Sequence, residues 1–425
     1  MLKYLRIFSI LILFSSICSF RAFAEEMLNW QGCIQEAAKN HPDLIAAEEE
    51  IKQSEASKKI TASALYPQVD ASVNASTASS ASGAGKSTQA DTYNYGVSAN
   101  QLFFDGAKTI NEVKSASETI KAYKQNFRFT SATVRYRLRT AFVDLLRAQE
   151  MLNITQEIYN IRRENMELIT LRYESGLEHK GALMTSEADL ASAIYDISQA
   201  KRDVEVAQRS LIKEMGRDKL TPITVKGDFE INDSAEIKPD FEAIVKNNPS
   251  VQQLIAQKNA AEFNLRSAYA NFYPSLTGSA GANKNGSHWA PRGNQWNLGL
   301  ALSLPIFEGG LRFAQVSQAK AYLSQLKENE RSSRDSAVLT LEQTWAILQD
   351  AVENVGVQNK SLKATEERSK IAQAQYSTGF ITFDNWIIIE DNLVKAKKAF
   401  LEAQANKLYA EASWIQAKGE TLEYE

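Results

Sequence analysis

The sequence predicts a mainly α protein with a transmembrane β part, assembled from two internal repeats. Three observations carry this. Short markers recur about 200 positions apart. Two regions alternate apolar and polar residues with period two, and apolar residues recur every seven positions along proline-free stretches. Composition agrees, with only 8 prolines in 425 residues. Two regions, 65–104 and 272–307, depart from the helical composition and are rich in Ser, Gly, Asn and aromatics.

Residues 1–24 read as a secretory signal. Lys3 and Arg6 make a charged start, Ile7 to Cys18 an apolar stretch, and Ala22-Phe23-Ala24 a small-x-small cleavage site. The apolar stretch is short for a membrane-spanning helix. Cleavage after Ala24 would place the chain outside the cytoplasm and remove Cys18. Ser15-Ser16-Ile17 lack the small residue that a lipid-attachment cysteine prefers just ahead of it, which points to a protein without a lipid anchor. Cys33 is then left without a disulfide partner, so burial, hydrogen bonding or oligomerisation must hold the fold. Loss of Lys3, Arg6 and Arg21 moves the formal charge from −3 to −6, a balance that argues against a nucleic-acid partner. No run of 18 apolar residues follows, so no helical membrane span is expected.

The repeats are read from matched markers. Asn40-His41-Pro42 and Asn247-Asn248-Pro249 lie 207 positions apart, as do Tyr66-Pro67 and Tyr273-Pro274. Phe104-Asp105-Gly106 and Phe307-Glu308-Gly309 lie 203 apart. The same spacing links Tyr173 and Gly176 to Tyr376 and Gly379, and Glu187, Leu190 and Gly216 to Glu390, Leu393 and Gly419. The offset changes between the Tyr-Pro and Phe-acid-Gly markers, where an exposed loop tolerates a change of length. The expected layout is repeat 1 over 25–216, a linker over 217–238 and repeat 2 over 239–425. Each repeat reads helix, two strands, long helix, turn, helix.

The first helix is expected over about 30–64, and its copy over 239–271. The strands follow. Val69, Ala71, Val73 and Ala75 alternate with Gln68, Asp70, Ser72 and Asn74, and Tyr93, Tyr95, Val97 and Ala99 with Asn94, Gly96, Ser98 and Asn100. In the second repeat Trp296, Leu298, Leu300, Leu302 and Leu304 alternate with Asn297, Gly299, Ala301 and Ser303. Each strand thus has an apolar face and a small, polar face, uncharged apart from Asp70. Residues 76–92 and 284–294 read as flexible tips. Strands of about ten residues flanked by aromatics suit a transmembrane barrel. A few strands per chain cannot close one, since the smallest use about eight, so several chains must combine.

Asp105 and Glu308 precede Gly106 and Gly309 at the strand-to-helix junctions, where an acid favours a helix start. A long helix from Asp105 to about Tyr173 would measure about 100 Å. Leu138, Leu145, Leu152, Tyr159, Met166 and Tyr173 recur every seven, as do Val113, Ile120, Phe127 and Val134. Leu341, Leu348, Val355 and Leu362 hold the spacing in the copy. A strict heptad predicts coiled-coil packing. The helices stop at Tyr173-Glu174-Ser175-Gly176-Leu177 and Tyr376-Ser377-Thr378-Gly379-Phe380, where the glycines suit left-handed C-caps. Returning helices are expected over 183–215 and 386–418, closed by Gly216 and Gly419.

No catalytic constellation appears. His41, His179 and His288 lack metal-ligand spacing, and no nucleophile elbow, phosphate loop or dinucleotide fingerprint is present. No enzyme, metal or cofactor is expected, and the energy for any transport must come from a partner.

The order of these markers resembles the TolC-like outer membrane efflux proteins, the outer membrane factors. The resemblance covers nearly all of the chain after the signal. It is carried by the Asn-x-Pro or Asn-Pro openings, by "ALYPQV" and "NFYPSL" entering the strands, by "LFFDG" and "LPIFEGG" leaving them, and by the paired "YESGL" and "YSTGF" turns. It implies a homotrimer in the outer membrane, in which four strands per chain complete a 12-stranded barrel and long antiparallel helical hairpins form an α-barrel tunnel in the periplasm. Residues 217–238 would be an equatorial linker. The implied function is a passive exit duct of a tripartite efflux pump or type I secretion system, in contact with outer-membrane lipid, a periplasmic adaptor (membrane fusion) protein and an inner-membrane pump.

The resemblance also implies adaptor docking at Tyr173, Ser175, Gly176 and Leu177, and at Tyr376, Thr378, Gly379 and Phe380. Exposed apolar Leu177 and Phe380 suit a partner surface. Family members commonly close the periplasmic end with an aspartate six positions after the turn glycine. Ala182 and Asn385 stand there, and Asp384 lies one position before Asn385. These three are the candidate gate, with a helix N-cap as the plain alternative for Asp384. The family's basic gate-locking residue is replaced by Ile381. The competing reading of the whole chain is a coiled-coil spacer of the periplasm or cell surface without a pore.

Overall fold

The structure is a computed structural model that describes residues 26–81, 87–229 and 238–422. The signal expected over 1–24 lies outside these residues, as do parts of the 217–238 linker and of the 76–92 tip. In chain order the elements are β1 (Glu26–Leu28), α1 (Trp30–Asn40), α2 (Pro42–Ser63), β2 (Gln68–Ala81), β3 (Ser87–Phe104), α3 (Lys108–Glu174) and α4 (Lys180–Glu214). They continue with β4 (Ile223–Val225), α5 (Phe241–Val245), α6 (Pro249–Ala270), β5 (Ser275–Gly286), β6 (Gly293–Ser303), α7 (Leu311–Ser377) and α8 (Phe383–Lys418). The chain divides into two compact units. One comprises Met1–Pro42, Ala132–Pro239 and Glu342–Glu425; the other comprises Asp43–Ser131 and Asp240–Leu341.

The helices expected over 30–64 and 239–271 are each broken in two. Proline supplies the reason, because it has no N–H to donate and forces the residue before it out of the helical region. His41 before Pro42 sits at φ −67°, ψ 124°, and Asn248 before Pro249 at φ −64°, ψ 128°. The Asn248 side chain then caps α6 by accepting from the Ser250 N–H at 3.0 Å.

The unit holding the strands contains a four-stranded antiparallel sheet in the order β2-β3-β5-β6. The strands are 14, 18, 12 and 11 residues long, and the first two exceed the expected ten. The excess comes from the stretch expected to be a flexible tip. Ser76 pairs with Thr92 and the ladder continues to Ala81 opposite Ser87. No proline or glycine interrupts these Ser/Thr/Ala positions, so each backbone group finds its partner across the ladder. In the same unit, Ala261 on α6 packs with Leu323 and Leu326 on α7.

The other unit is helical. α3 supplies its buried seam along the continuation of one of its two expected heptads, the one that runs through Val113, Ile120, Phe127 and Val134. Leu138 and Leu145 are buried, whereas Leu152, Tyr159 and Met166 are only partly covered within one chain. The register buried throughout is Val134, Ala141, Ala148, Thr155, Arg162 and Ile169. Beyond Val134 its small and polar members hide this heptad from a search for apolar residues. Buried Arg162 pairs with Asp189 on α4 at 3.4 Å and with Asp391 on α8. Burial lifts the Asp189 carboxyl above its ordinary value against the pull of Arg162.

β1 and β4 form a parallel two-stranded sheet that the periodicity did not predict, and β4 lies in the expected linker. Gln149 on α3 accepts from the Val225 N–H at 2.9 Å and donates to the Val225 carbonyl at 3.1 Å. Arg217 clamps the same region, bonding Glu36 through Nε at 2.5 Å and Nη2 at 2.7 Å, and Glu26 through Nη1 at 2.7 Å. Hydrogen bonding to Arg217 holds the Glu26 carboxyl below its ordinary value. No helix among the described residues is long and apolar enough to cross a membrane, which says nothing about strands.

Candidate functional site: the hairpin tips and the sheet face

Both hairpins turn by the same device. After α3, the Gly176 N–H donates to the Tyr173 carbonyl at 3.0 Å and the Leu177 N–H to the Arg172 carbonyl at 2.8 Å. After α7, Gly379 donates to Tyr376 at 3.0 Å and Phe380 to Gln375 at 2.8 Å. These are Schellman turns, with Gly176 at φ 71° and Gly379 at φ 80° as the left-handed residues. The apolar residue after such a glycine often closes onto an apolar residue of the last turn. Here the facing positions are Arg172 and Gln375. Leu177 is 67% exposed and Phe380 84%. Ser175 and Thr378 are exposed and bond back to helix carbonyls.

The two tyrosines of the turns part company. Tyr173 is exposed, whereas Tyr376 is 1% exposed, in a core cluster with Ile169, Ala182, Ala372, Phe383 and Trp386. Its ring stacks on Trp386 with centroids 4.4 Å apart, and the Arg172 guanidinium lies 4.7 Å from its centroid. Burial pushes the Tyr376 hydroxyl up to about 12, with the nearby Glu178 charge adding to the effect. The buried Arg172 Nε and Trp386 Nε1 have no hydrogen-bond partner among the described residues. Tyr376 therefore holds the tip together from inside and is no docking surface.

The candidate gate positions are also resolved. Ala182 is fully buried in the same cluster and cannot line an opening. Asp384 and Asn385 are exposed on the first turn of α8. Asp384 is not the N-cap. Thr382 is, its hydroxyl accepting from the Asn385 N–H at 3.4 Å, and α8 starts at Phe383. In the first hairpin His179 does this work, Nδ1 accepting from the Ala182 N–H at 3.1 Å. Sequence reading missed both caps and the Arg172–Tyr376–Trp386 stack. The signals were a Thr three positions before Asn385, and aromatics at 383 and 386, one turn apart.

At the strand-to-helix junctions Asp105 acts as expected of a helix-start acid. Its Oδ2 accepts from the Thr109 N–H at 2.8 Å and from the Thr109 hydroxyl at 2.5 Å. Glu308 differs and pairs with Arg312 one turn on at 2.9 Å. Both junctions pass through two consecutive positive-φ residues, Gly106-Ala107 and Gly309-Gly310.

The sheet has the two faces the alternation requires. Val69, Ala99, Ala280 and Leu298 form one cross-strand row, and Ala71, Val97, Ala282 and Trp296 the next. This face is open, with Trp296 81% and Leu298 79% exposed. From Trp296 to Leu304 it runs about 27 Å at 3.4 Å per residue, close to the about 25 Å apolar band of membrane barrels. Aromatics flank it. Trp289 packs edge-on against Tyr93 and Tyr95 at 5.7 and 5.8 Å, and exposed Tyr66, Tyr273 and Phe307 adjoin the opposite strand ends. On the reverse face the rows consist of Ser, Asn, Gln, Thr, Gly and Ala with Asp70, and with Leu102 opposite Thr277 near the strand end. β2 and β6 each leave one edge without a strand partner among the described residues.

The family model described as outer membrane efflux protein matches residues 33–217 and 242–420. The chain belongs to that family. Its place is the outer membrane, and the family's work is efflux through a channel. Outer membrane efflux protein BepC from Brucella suis biovar 1 (strain 1330) is 22% identical over 397 residues, which cover 91% of this chain and 84% of BepC. A solved structure of CusC superposes with a TM-score of 0.82 at 18% identity, covering 95% of each chain. The open state of the Neisseria gonorrhoeae MtrE outer membrane channel superposes at 0.81 and 19% identity, covering 93% of this chain and 90% of MtrE. These superpositions place the fold among the TolC-like channels, with their helical tunnel and β part.

Proposed function

We propose that this efflux protein works as a homotrimeric exit duct of a tripartite pump or type I secretion system, built from two copies of one structural unit. The observation that carries the reading is the sheet. It exposes one apolar face of membrane height and, among the described residues, ends in two unpaired edges. Unpaired edges are not tolerated in lipid, so the strands of one chain must continue onto another. Three chains supply an even number of strands, as bacterial barrels require. A coiled-coil spacer would have no use for an exposed leucine row on a paired sheet. Purified protein in a planar bilayer is expected to give discrete conductance steps and to crosslink as a trimer. A water-soluble monomer without conductance overturns the proposal in favour of the spacer.

The tips are the proposed adaptor-docking ends. Leu177 and Phe380 are apolar, solvent-facing and fixed by rigid turns, which suits a preorganised contact. The adaptor and inner-membrane pump would supply selection and energy. Leu177→Asp combined with Phe380→Asp is expected to abolish export while trimers still assemble, and normal export would overturn docking there. Asp384 and Asn385, exposed beside the turn, are the proposed gate residues.

A further inference from the structure

The polar face of the sheet carries one ionisable side chain among its described residues. Asp70 lies in register with Ser98, Gly281 and Asn297 across all four strands. Rows on either side offer only neutral side chains. Asp70 is exposed and has no hydrogen-bond or ion-pair partner among the described residues. The strands' other described acid, Asp91, faces the apolar side and is engaged by the Thr77 hydroxyl at 2.6 Å. Gly281 in the Asp70 row has no side chain, and the Asn297 amide oxygen occupies the space above it, 2.5 Å from where a Cβ would stand. Among the described residues no cation on this face neutralises the carboxylate.

We propose that Asp70 sets the ion preference of the strand-lined pore, each chain contributing one carboxylate to a ring. The inference rests on the barrel reading above. Twelve strands about 4.8 Å apart and tilted about 40° enclose a backbone circle roughly 24 Å across. A carboxylate reaching inward therefore stands on the order of 8 Å from the axis. The screening length is about 30 Å at 10 mM salt, about 8 Å at physiological salt and about 3 Å at 1 M. The ring's field thus fills the pore at low salt, reaches its axis at physiological salt and vanishes at 1 M. In an otherwise neutral section, that field favours cations over anions of the same size.

The experiment is the reversal potential of bilayer-reconstituted trimers across tenfold KCl gradients, set low (10 to 100 mM) and high (0.3 to 3 M). Asp70→Asn is expected to lower the potassium-to-chloride permeability ratio severalfold in the low gradient and to leave the high one nearly unchanged. Asp70→Glu is expected to keep the native ratio. Asp70→Cys gives a readout within one assembled channel. An anionic thiol reagent is expected to restore cation preference and a cationic one to invert it. Cys33 does not interfere, because it is fully buried. Unchanged ratios in Asp70→Asn and after both reagents overturn the inference and leave the barrel standing. A native trimer without conductance overturns the barrel reading and this inference together.

Discussion

Alanine at Gly379 isolates the backbone cost of the tip turn. Gly379 has φ 80°, and a Cβ built there meets nothing within 4 Å. The substitution therefore adds no clash, only the penalty for an L-residue held in the left-handed region, about 1–2 kcal/mol. Gly216, after α4, has φ 76° and carries the same penalty. Its Cβ would also stand 2.5 Å from the Asn40 carbonyl oxygen and 2.7 Å from the carbon behind it. Those are backbone atoms at the end of α1, so relief requires moving a helix, which adds about 1–3 kcal/mol of overpacking. Hydrogen exchange followed by mass spectrometry reads the difference locally. Peptides covering 371–390 are expected to exchange roughly 5- to 30-fold faster in Gly379→Ala, since each 1.4 kcal/mol is about tenfold, with the rest of the chain unchanged. Gly216→Ala is expected to have the larger effect, in peptides from α1 and the end of α4. Equal damage from the two substitutions would refute the reasoning, because it would mean that Gly379 is not in open space. Native exchange in Gly379→Ala would show that the turn does not need its left-handed residue.

Three further outcomes are expected. Leu298→Arg, in the middle of the exposed apolar row, costs about 2–4 kcal/mol of membrane stability near the bilayer midplane; the trimer band on an unheated gel should be depleted, whereas Asn297→Arg on the other face should leave it intact. Trp386→Ala removes the plate under Tyr376 and costs about 3–5 kcal/mol locally, read as loss of exchange protection in 376–390 with the sheet unaffected. Acidification should release the N-terminal clamp. Glu26 is held below its ordinary value, so its contribution is complete above about pH 4.5 and is lost as pH falls through the depressed value. Exchange in 26–30 should rise there in the native chain, and an Arg217→Gln variant should lack this step.

The elements most legible in the sequence were those whose pattern does not depend on partners. A strand with an exposed apolar face announces itself, as Trp296 to Leu302 do, because both faces keep their character without a core behind them. The Schellman glycines were legible for a similar reason, since only glycine takes φ near +80° without strain. The breaks at Pro42 and Pro249 were visible as recurring markers, but the rule that a proline stops a helix outweighs any repeat alignment. Burial within the tips was not legible. Tyr173 and Tyr376 share one motif, yet the positions matching Phe383 and Trp386 are Lys180 and Leu183, so only the second tyrosine finds aromatic cover. The Arg162 seam stayed hidden because small and polar residues occupy it. β1 and β4 have three residues each, too few to show any period.

That small sheet bears on the order in which the protein is made. Glu26 pairs with Ile223, so the first described strand has its partner 197 positions later. A chain delivered N-terminus first exposes β1 long before β4 exists. Arg217, which clamps Glu26 and Glu36, arrives only with the end of α4. Closing a loop of that length costs about 5 kcal/mol of chain entropy. The pairing of β1 and the Arg217 clamp on Glu26 and Glu36 must therefore wait until half the chain has emerged, and truncations ending before residue 223 leave β1 without its strand partner. The first described strand is thus paired only after its partner, 197 positions on, has been made.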